Sequence, residues 1–275
     1  MHLGVFGMGT AARAEPGPMV DVAALAEDLG YESLWVGEHV VLPEPRTPGS
    51  PLAASTPLLD PVVTLTYLAA ATRRVRLGTG IIILPQRNPL VLAKELASLD
   101  VVSGGRLLLG IGVGGLQAEF EALGVPFADR GRRTDEHLDA MRALWEMDRP
   151  AYQGRLVAFS AVDAHPRPVQ RPLPVLVGGH SDAALRRAVE RGQGWYGFGL
   201  EVDATAALLS RLGQAGARYE RPAGLGRLEI TITPPLRSTE RAAYEDLGVD
   251  RLVMVPSNSL DLDGLRAWLD DRAPR

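Results

Sequence analysis

The chain has 275 residues, 46% hydrophobic and 23% charged, the profile of an ordinary globular protein with enough length for a substantial core. A net charge of −4 offers no basic surface for nucleic acid or an anionic membrane, and no apolar run reaches the ~20 residues that cross a bilayer. The absence of cysteine excludes disulfides, thiolate catalysis and cysteine-ligated zinc or iron–sulfur centres, and five scattered histidines without HExxH spacing give no metal site.

In chain order, residues 1–9 read as a short strand with no basic residues ahead of it, so no secretory signal is expected and the expected location is cytoplasmic. Strand-like apolar runs recur at 3–6, 33–36, 75–83, 106–112, 174–177, 194–197, 228–232 and 251–255. Helical faces lie between most of them. Met19, Val22, Ala26 and Leu29 share one, and Val62, Leu65, Leu68 and Thr72 the next. Leu92, Leu96 and Leu99 follow, then Leu138, Met141 and Trp145, then Leu185 and Val189. Leu208, Leu212 and Ala215, and finally Leu265, Trp268 and Leu269, complete the series. Eight strands alternating with helices predict a single (β/α)8 barrel domain over residues 1–275. A doubly wound sheet is the competing architecture. It would more often carry a GxGxxG after its first strand, and Gly7-Met8-Gly9 lacks the third glycine.

Three stretches read as loops. Residues 43–60, rich in Pro, Ser and Thr, follow the second strand and in a barrel would lie over the catalytic face, as a lid or as a solvated connection. Residues 148–174 are proline-rich and join the fourth helix to the fifth strand, and 223–226 form a short turn.

The strand ends carry the chemistry. Gly78-Thr79-Gly80 ends the third strand, Gly112-Val113-Gly114-Gly115 the fourth, and Val177-Gly178-Gly179 the fifth. Glycine there lets a flat or phosphorylated ligand approach the backbone. His180-Ser181-Asp182 then opens a helix with Ser181 as its N-cap, an arrangement that can serve as an anion site or as a plain turn. His39 ends the second strand, where a barrel opens into its active site, and imidazole can move a proton there. Alternation allows only one of Glu38 and His39 to face the site, and Glu38 reads as an anchoring carboxylate. Arg130, Arg132 and Arg133 open a helix whose dipole they oppose, either to meet an anion or partner, or as a solvated cluster offset by Asp129, Asp135 and Glu136. His137 is expected to pack or face solvent. The tryptophans default to core, with Trp195 or Phe198 as candidates to line the site.

Four segments in order, 26–39, 74–114, 119–145 and 165–179, resemble the bacterial luciferase-like flavin/deazaflavin oxidoreductase superfamily, and more narrowly its coenzyme F420-dependent branch. The resemblance implies a TIM barrel with loop insertions. It places His39 beside the cofactor ring as the catalytic residue, and a non-proline cis peptide at Gly80-Ile81 behind the ring. It puts Thr79 at the ring's pyrimidine edge, with Gly112, Val113, Gly114, Val177, Gly178, Gly179 and His180 around the cofactor and its tail phosphate.

The implied activity is hydride transfer between C5 of F420 and a small organic substrate, in a protein that is commonly a homodimer. The alternatives are an FMN-dependent monooxygenase, a non-catalytic flavin- or deazaflavin-binding protein and, more weakly, a phosphate-ester isomerase. Deazaflavin sugar-phosphate dehydrogenases carry a glutamate where this chain has Gly115, and they use lysines, whereas Lys94 is the only one here. Glucose 6-phosphate oxidation is therefore disfavoured.

Overall fold

The computed structural model describes residues 1–236 and 240–274. Among these, the first half runs β1 (His2–Phe6), α1 (Pro16–Asp28), β2 (Ser33–Val36), α2 (Pro61–Ala71), β3 (Arg76–Thr79), β4 (Ile82–Ile83), α3 (Pro89–Ser103), β5 (Leu107–Gly112), α4 (Gln117–Ala122) and α5 (Arg130–Glu146). The second half runs β6 (Tyr152–Gln153), β7 (Ala158–Phe159), β8 (Val175–Gly178), α6 (Asp182–Arg191), β9 (Gly194–Phe198), α7 (Val202–Arg218), β10 (Glu229–Thr233), α8 (Arg241–Asp246), β11 (Arg251–Met254) and α9 (Leu262–Asp271).

Apart from the β6–β7 hairpin, every strand pairing is parallel. The order β3-β2-β1-β11-β10-β9-β8-β5 closes on itself, because β5 also pairs with β3 and β4. With β3 and β4 taken as one interrupted strand, this is the expected eight-stranded (β/α)8 barrel among the described residues. A doubly wound sheet would have stayed open at two edges.

Two departures from the expected elements occur. The run 75–83 is not one strand: β3 stops at Thr79, a cis peptide joins Gly80 to Ile81, and β4 resumes at Ile82. The Gly80 N–H still donates to the Val36 carbonyl at 2.7 Å, so the break lies within the barrel wall. In the loop 148–174 the short β6–β7 hairpin forms, tied to α5 where the Leu156 N–H donates to Glu136 at 2.7 Å.

Apolar residues fill two separate spaces. The larger core lies between barrel and helices, where Leu65, Leu68, Leu92, Leu96, Leu138 and Met141 meet the outward faces of the strands. The smaller fills the barrel itself with Trp35, Leu108, Leu176, Tyr196 and Val253, and Phe6 and Ile81 pack against it. Trp35 stacks on Tyr196 with centroids 5.4 Å apart. At the N-terminal end of the barrel Arg251, 2% exposed, donates to Glu32 at 2.8 and 2.9 Å, to Glu229 and to Thr231. A buried, fully engaged guanidinium seals that end. The opposite end, at the C-termini of the strands, is where a TIM barrel does its chemistry.

Candidate active site

The end of β2 sends two adjacent side chains to different tasks, as strand alternation requires. Glu38, 5% exposed, accepts from Arg87 Nε at 2.6 Å and from the Ile83 amide. Arg87 also reaches Asp60, which caps α2 by accepting from the Val62 and Val63 amides at 2.9 and 3.0 Å. The Glu38–Arg87–Asp60 chain therefore bolts the end of β2 to β4 and to α2. Burial is the largest influence on Glu38 and pushes its carboxyl above the ordinary range, against the pull of Arg87 and the Ile83 amide. Glu38 is an anchoring carboxylate, as its place in the strand suggests.

His39 turns the other way and keeps 21% of its side chain exposed. Its Nδ1 lies 3.1 Å from Glu119 Oε2, and the neighbouring Val40 N–H donates to Glu119 Oε1 at 2.7 Å. The Glu119 side chain is completely buried. Burial raises its pKa, but the hydrogen bond and charge of His39, then the Gln86 side chain and the Val40 amide, outweigh that and hold the carboxyl below its usual range. Glu119 was not visible as a site residue in the sequence. It sits 80 residues from His39 on the one-and-a-half-turn helix α4, and no spacing rule links the two.

Beside His39 the ends of β3, β5 and β8 present bare backbone around one side chain. Ile81 projects over these ends: a Cβ at Gly112 would fall 2.6 Å from its Cδ1, and one at Gly178 3.0 Å from its Cγ2. Gly80 lies against Phe6 and the Tyr196 hydroxyl, which a Cβ would meet at 2.8 and 3.0 Å. Gly114 takes φ +73° and packs on Phe120, the residue after Glu119, so the end of β5 and α4 are held together. Gly80, Ile81, Val113 and Gly114 are half-buried, whereas Gly112 is buried.

The end of β8 is fixed from below. Trp195 Nε1 donates to the Gly179 carbonyl at 2.8 Å, and His180 Nε2 accepts from the Phe198 amide at 3.3 Å. Burial, then the charge of Arg211, lowers the His180 pKa, which favours the neutral ring that accepts from Phe198. Gly179 and His180 are exposed, and Ser181 caps α6 as expected by accepting from the Ala184 amide at 3.3 Å.

The structure places the remaining candidates as follows. Thr79 is fully buried and spends its hydroxyl on the Gly110 carbonyl at 2.7 Å, so it ties β3 to β5 and has no free donor for a ring edge. Val177 is buried in the outer core and can offer only its backbone. Trp195 is likewise buried in that core, whereas Phe198 is exposed and packs on Phe6 at 5.3 Å. Arg132 and Arg133 close on Asp129 at 3.6 and 3.2 Å, and Arg130 lies over the Phe127 ring, so the cluster is locally compensated. His137 is buried and bonds the Leu84 carbonyl at 3.2 Å. The loop 43–60 does lie on the strand-end face, tied to the β1–α1 loop where Ala11 N–H donates to Pro57 and Leu59 N–H to Gly9, each at 2.9 Å.

The lowered pKa values of Glu119, Asp60 and Glu32 predict acid sensitivity. A carboxyl held below its unfolded value contributes stability that is complete above about pH 4.5 and is lost as pH falls through the folded-state value. Urea denaturation at pH 7, 5, 4 and 3 should show stability flat to pH 5 and falling below it. A Glu119→Gln variant should fall less steeply, and an identical slope would contradict the role given to that carboxylate.

The luciferase-like monooxygenase family model matches residues 1–267. An uncharacterized protein of Mycobacterium tuberculosis (strain ATCC 25618 / H37Rv) is 32% identical over 87% of this chain and 87% of its own length. Among solved structures, the monooxygenase RslO1 from Streptomyces bottropensis superposes with a TM-score of 0.79 at 22% identity, covering 98% of this chain and 96% of that one. An F420-dependent secondary alcohol dehydrogenase, solved with an F420–acetone adduct, also gives 0.79, at 15% identity, covering 98% and 97%.

Proposed function

The chain belongs to the luciferase-like monooxygenase family, and on that premise we propose that it is a coenzyme F420-dependent oxidoreductase that transfers hydride between the deazaflavin C5 and a small organic substrate. One observation carries the reading: three neighbouring strand ends stripped of side chains around Ile81, beside a histidine tied to a buried carboxylate. A flat ring fits backbone that offers no Cβ, and the apolar Phe6 and Ile81 give it a surface to lie on. The exposed Gly179–His180 turn leads into the N-terminus of α6, and a helix start of this kind suits the tail phosphate.

A deazaflavin held there supplies two electrons as hydride. The rest falls to this chain. Gly80, Ile81, Gly112, Val113 and Gly114 orient the ring, and the Gly178–Gly179 backbone and His180 hold the tail. His39 gives or takes the proton that accompanies hydride at a carbonyl, imine or alcohol. The loop 43–60 limits water at the strand-end face. The test is oxidation of reduced F420 against a panel of enones and imines, with alcohols and oxidised F420 for the reverse direction. Turnover above the buffer rate supports the reading. Oxygen uptake with reduced FMN, and no F420 turnover, would replace it with an FMN monooxygenase.

The working unit proposed is a homodimer built on α2 and α3. Val63, Thr66, Tyr67 and Ala70 form an exposed, uncharged face of α2, and Val91 and Val102 are exposed on α3 beside it. An apolar face of this kind marks an interaction site, and a two-fold pairing of the same patch buries it in one step. Light scattering should give twice the 29.5 kDa chain mass, and Tyr67→Asp should give the monomer. Monomeric wild-type protein would contradict the proposal.

A further inference from the structure

The grip of Glu119 on the end of β2 is more specific than an anchor needs. One carboxylate oxygen takes the Val40 amide at 2.7 Å and the other faces His39 Nδ1 at 3.1 Å, so backbone and ring are held by the same rigid group. The carboxylate has no exposed surface. Its helix is in turn locked by Phe120, fully buried against the Gly114 turn and edge-on to Phe127 at 5.2 Å. Rotation of the imidazole would take away the donor that faces Glu119 Oε2, a loss that a buried carboxylate resists.

An ionised carboxylate only accepts hydrogen bonds. The nitrogen that faces it must therefore carry the proton. In the neutral ring this leaves Nε2 with the lone pair, on the part of the side chain that remains exposed.

We propose that Glu119 is a positioning residue that sets the tautomer of His39, holding the proton on Nδ1 and presenting Nε2 to the substrate as the proton-transferring atom. This rests on the oxidoreductase reading for its consequence in turnover, but not for the tautomer itself.

Glu119→Gln is the informative variant. A glutamine oxygen can still accept from Val40, and its NH2 then faces His39 Nδ1, which must become the acceptor. Long-range 1H–15N correlation spectra of the protein are recorded at roughly pH 8.5, about two units above the ordinary histidine value. His39 is assigned by its loss in His39→Asn. The proposal predicts protonated Nδ1 in the wild type and protonated Nε2 in Glu119→Gln. With the best substrate of the F420 screen, kcat should fall by about 10–100-fold in Glu119→Gln, with KM and F420 affinity within about twofold and partial recovery in Glu119→Asp.

Protonated Nε2 in the wild type overturns the proposal, as does an inverted tautomer with unchanged kcat. The wild-type spectrum decides the tautomer even if the variant folds poorly. Failure of the wild type to bind F420 would overturn the cofactor reading while leaving the tautomer result standing, so the two failures are distinguishable.

Discussion

His39→Asn is expected to lower hydride-transfer turnover by about 10²–10⁴-fold, the usual weight of a positioned acid–base group. Asparagine is the stringent choice, because its amide can still donate toward Glu119 and keep the β2 end in place. What it loses is the ring and the nitrogen that moves the proton. The Kd for F420 should change little, because in the proposed reading the cofactor rests on the backbone of Gly80–Ile81, Gly112–Gly114 and Gly178–Gly179. The measurement is kcat and KM with the best substrate of the screen, alongside cofactor affinity by titration. A variant that keeps more than about a tenth of wild-type kcat would remove His39 from the chemistry. A variant that fails only in cofactor binding would make His39 a binding residue.

The largest effect on stability is expected from Arg87→Ala. Arg87 neutralises Glu38, whose side chain is 1% exposed, and links it to Asp60 at the start of α2. Removing one member of a buried pair leaves a charge in a place that cannot solvate it, at a cost of about 3–5 kcal/mol. For a chain of this length the melting temperature should fall by on the order of 10 °C.

The deficit should depend on pH in a defined direction. Burial already pushes the Glu38 carboxyl upward, and without Arg87 nothing but the Ile83 amide opposes it. The variant can then relieve itself by protonating Glu38, so its deficit is greatest at neutral and higher pH and shrinks as pH falls toward the carboxylate range. Denaturation curves at pH 7.5 and 5 check this. A deficit under about 1 kcal/mol, or one that grows in acid, would show that the Glu38–Arg87 contact does not bind β2 to β4. Glu38→Gln combined with Arg87→Met should recover part of the loss, because it removes both charges at once.

The barrel was legible in the sequence because parallel strands are buried on both faces and read as unbroken apolar runs. Residues 33–36 and 107–112 stand out for that reason. The same property hid the break at Gly80-Ile81, since Ile81, Ile82 and Ile83 continue the run of residues 75–79 with no change of pattern. The resemblance, not periodicity, pointed there. The cis Gly80-Ile81 peptide it implied is present.

Alternation predicted that Glu38 and His39 would point apart, and the resemblance said which of them faces the site. Glu119 was not legible, because its meaning lies in a contact across 80 residues. Thr79 misled for a related reason: a hydroxyl at a strand end is available to a ligand only if no neighbouring strand claims it, and Gly110 does. Trp195 was readable as core, but not its hold on Gly179, which depends on the pairing of β8 with β9. The β6–β7 hairpin has two residues per strand, too short for any alternation to register.

The first experiment is a paired titration of the purified protein with oxidised F420 and with FMN, followed by fluorescence. The account predicts saturable binding of the deazaflavin, at least tenfold tighter than FMN, and loss of that preference when Gly112 is replaced by a bulky residue that would displace Ile81. Tighter binding of FMN would contradict the central claim and turn attention to oxygen chemistry. Binding of neither would remove the cofactor from the strand-end face and leave the barrel without the function proposed for it.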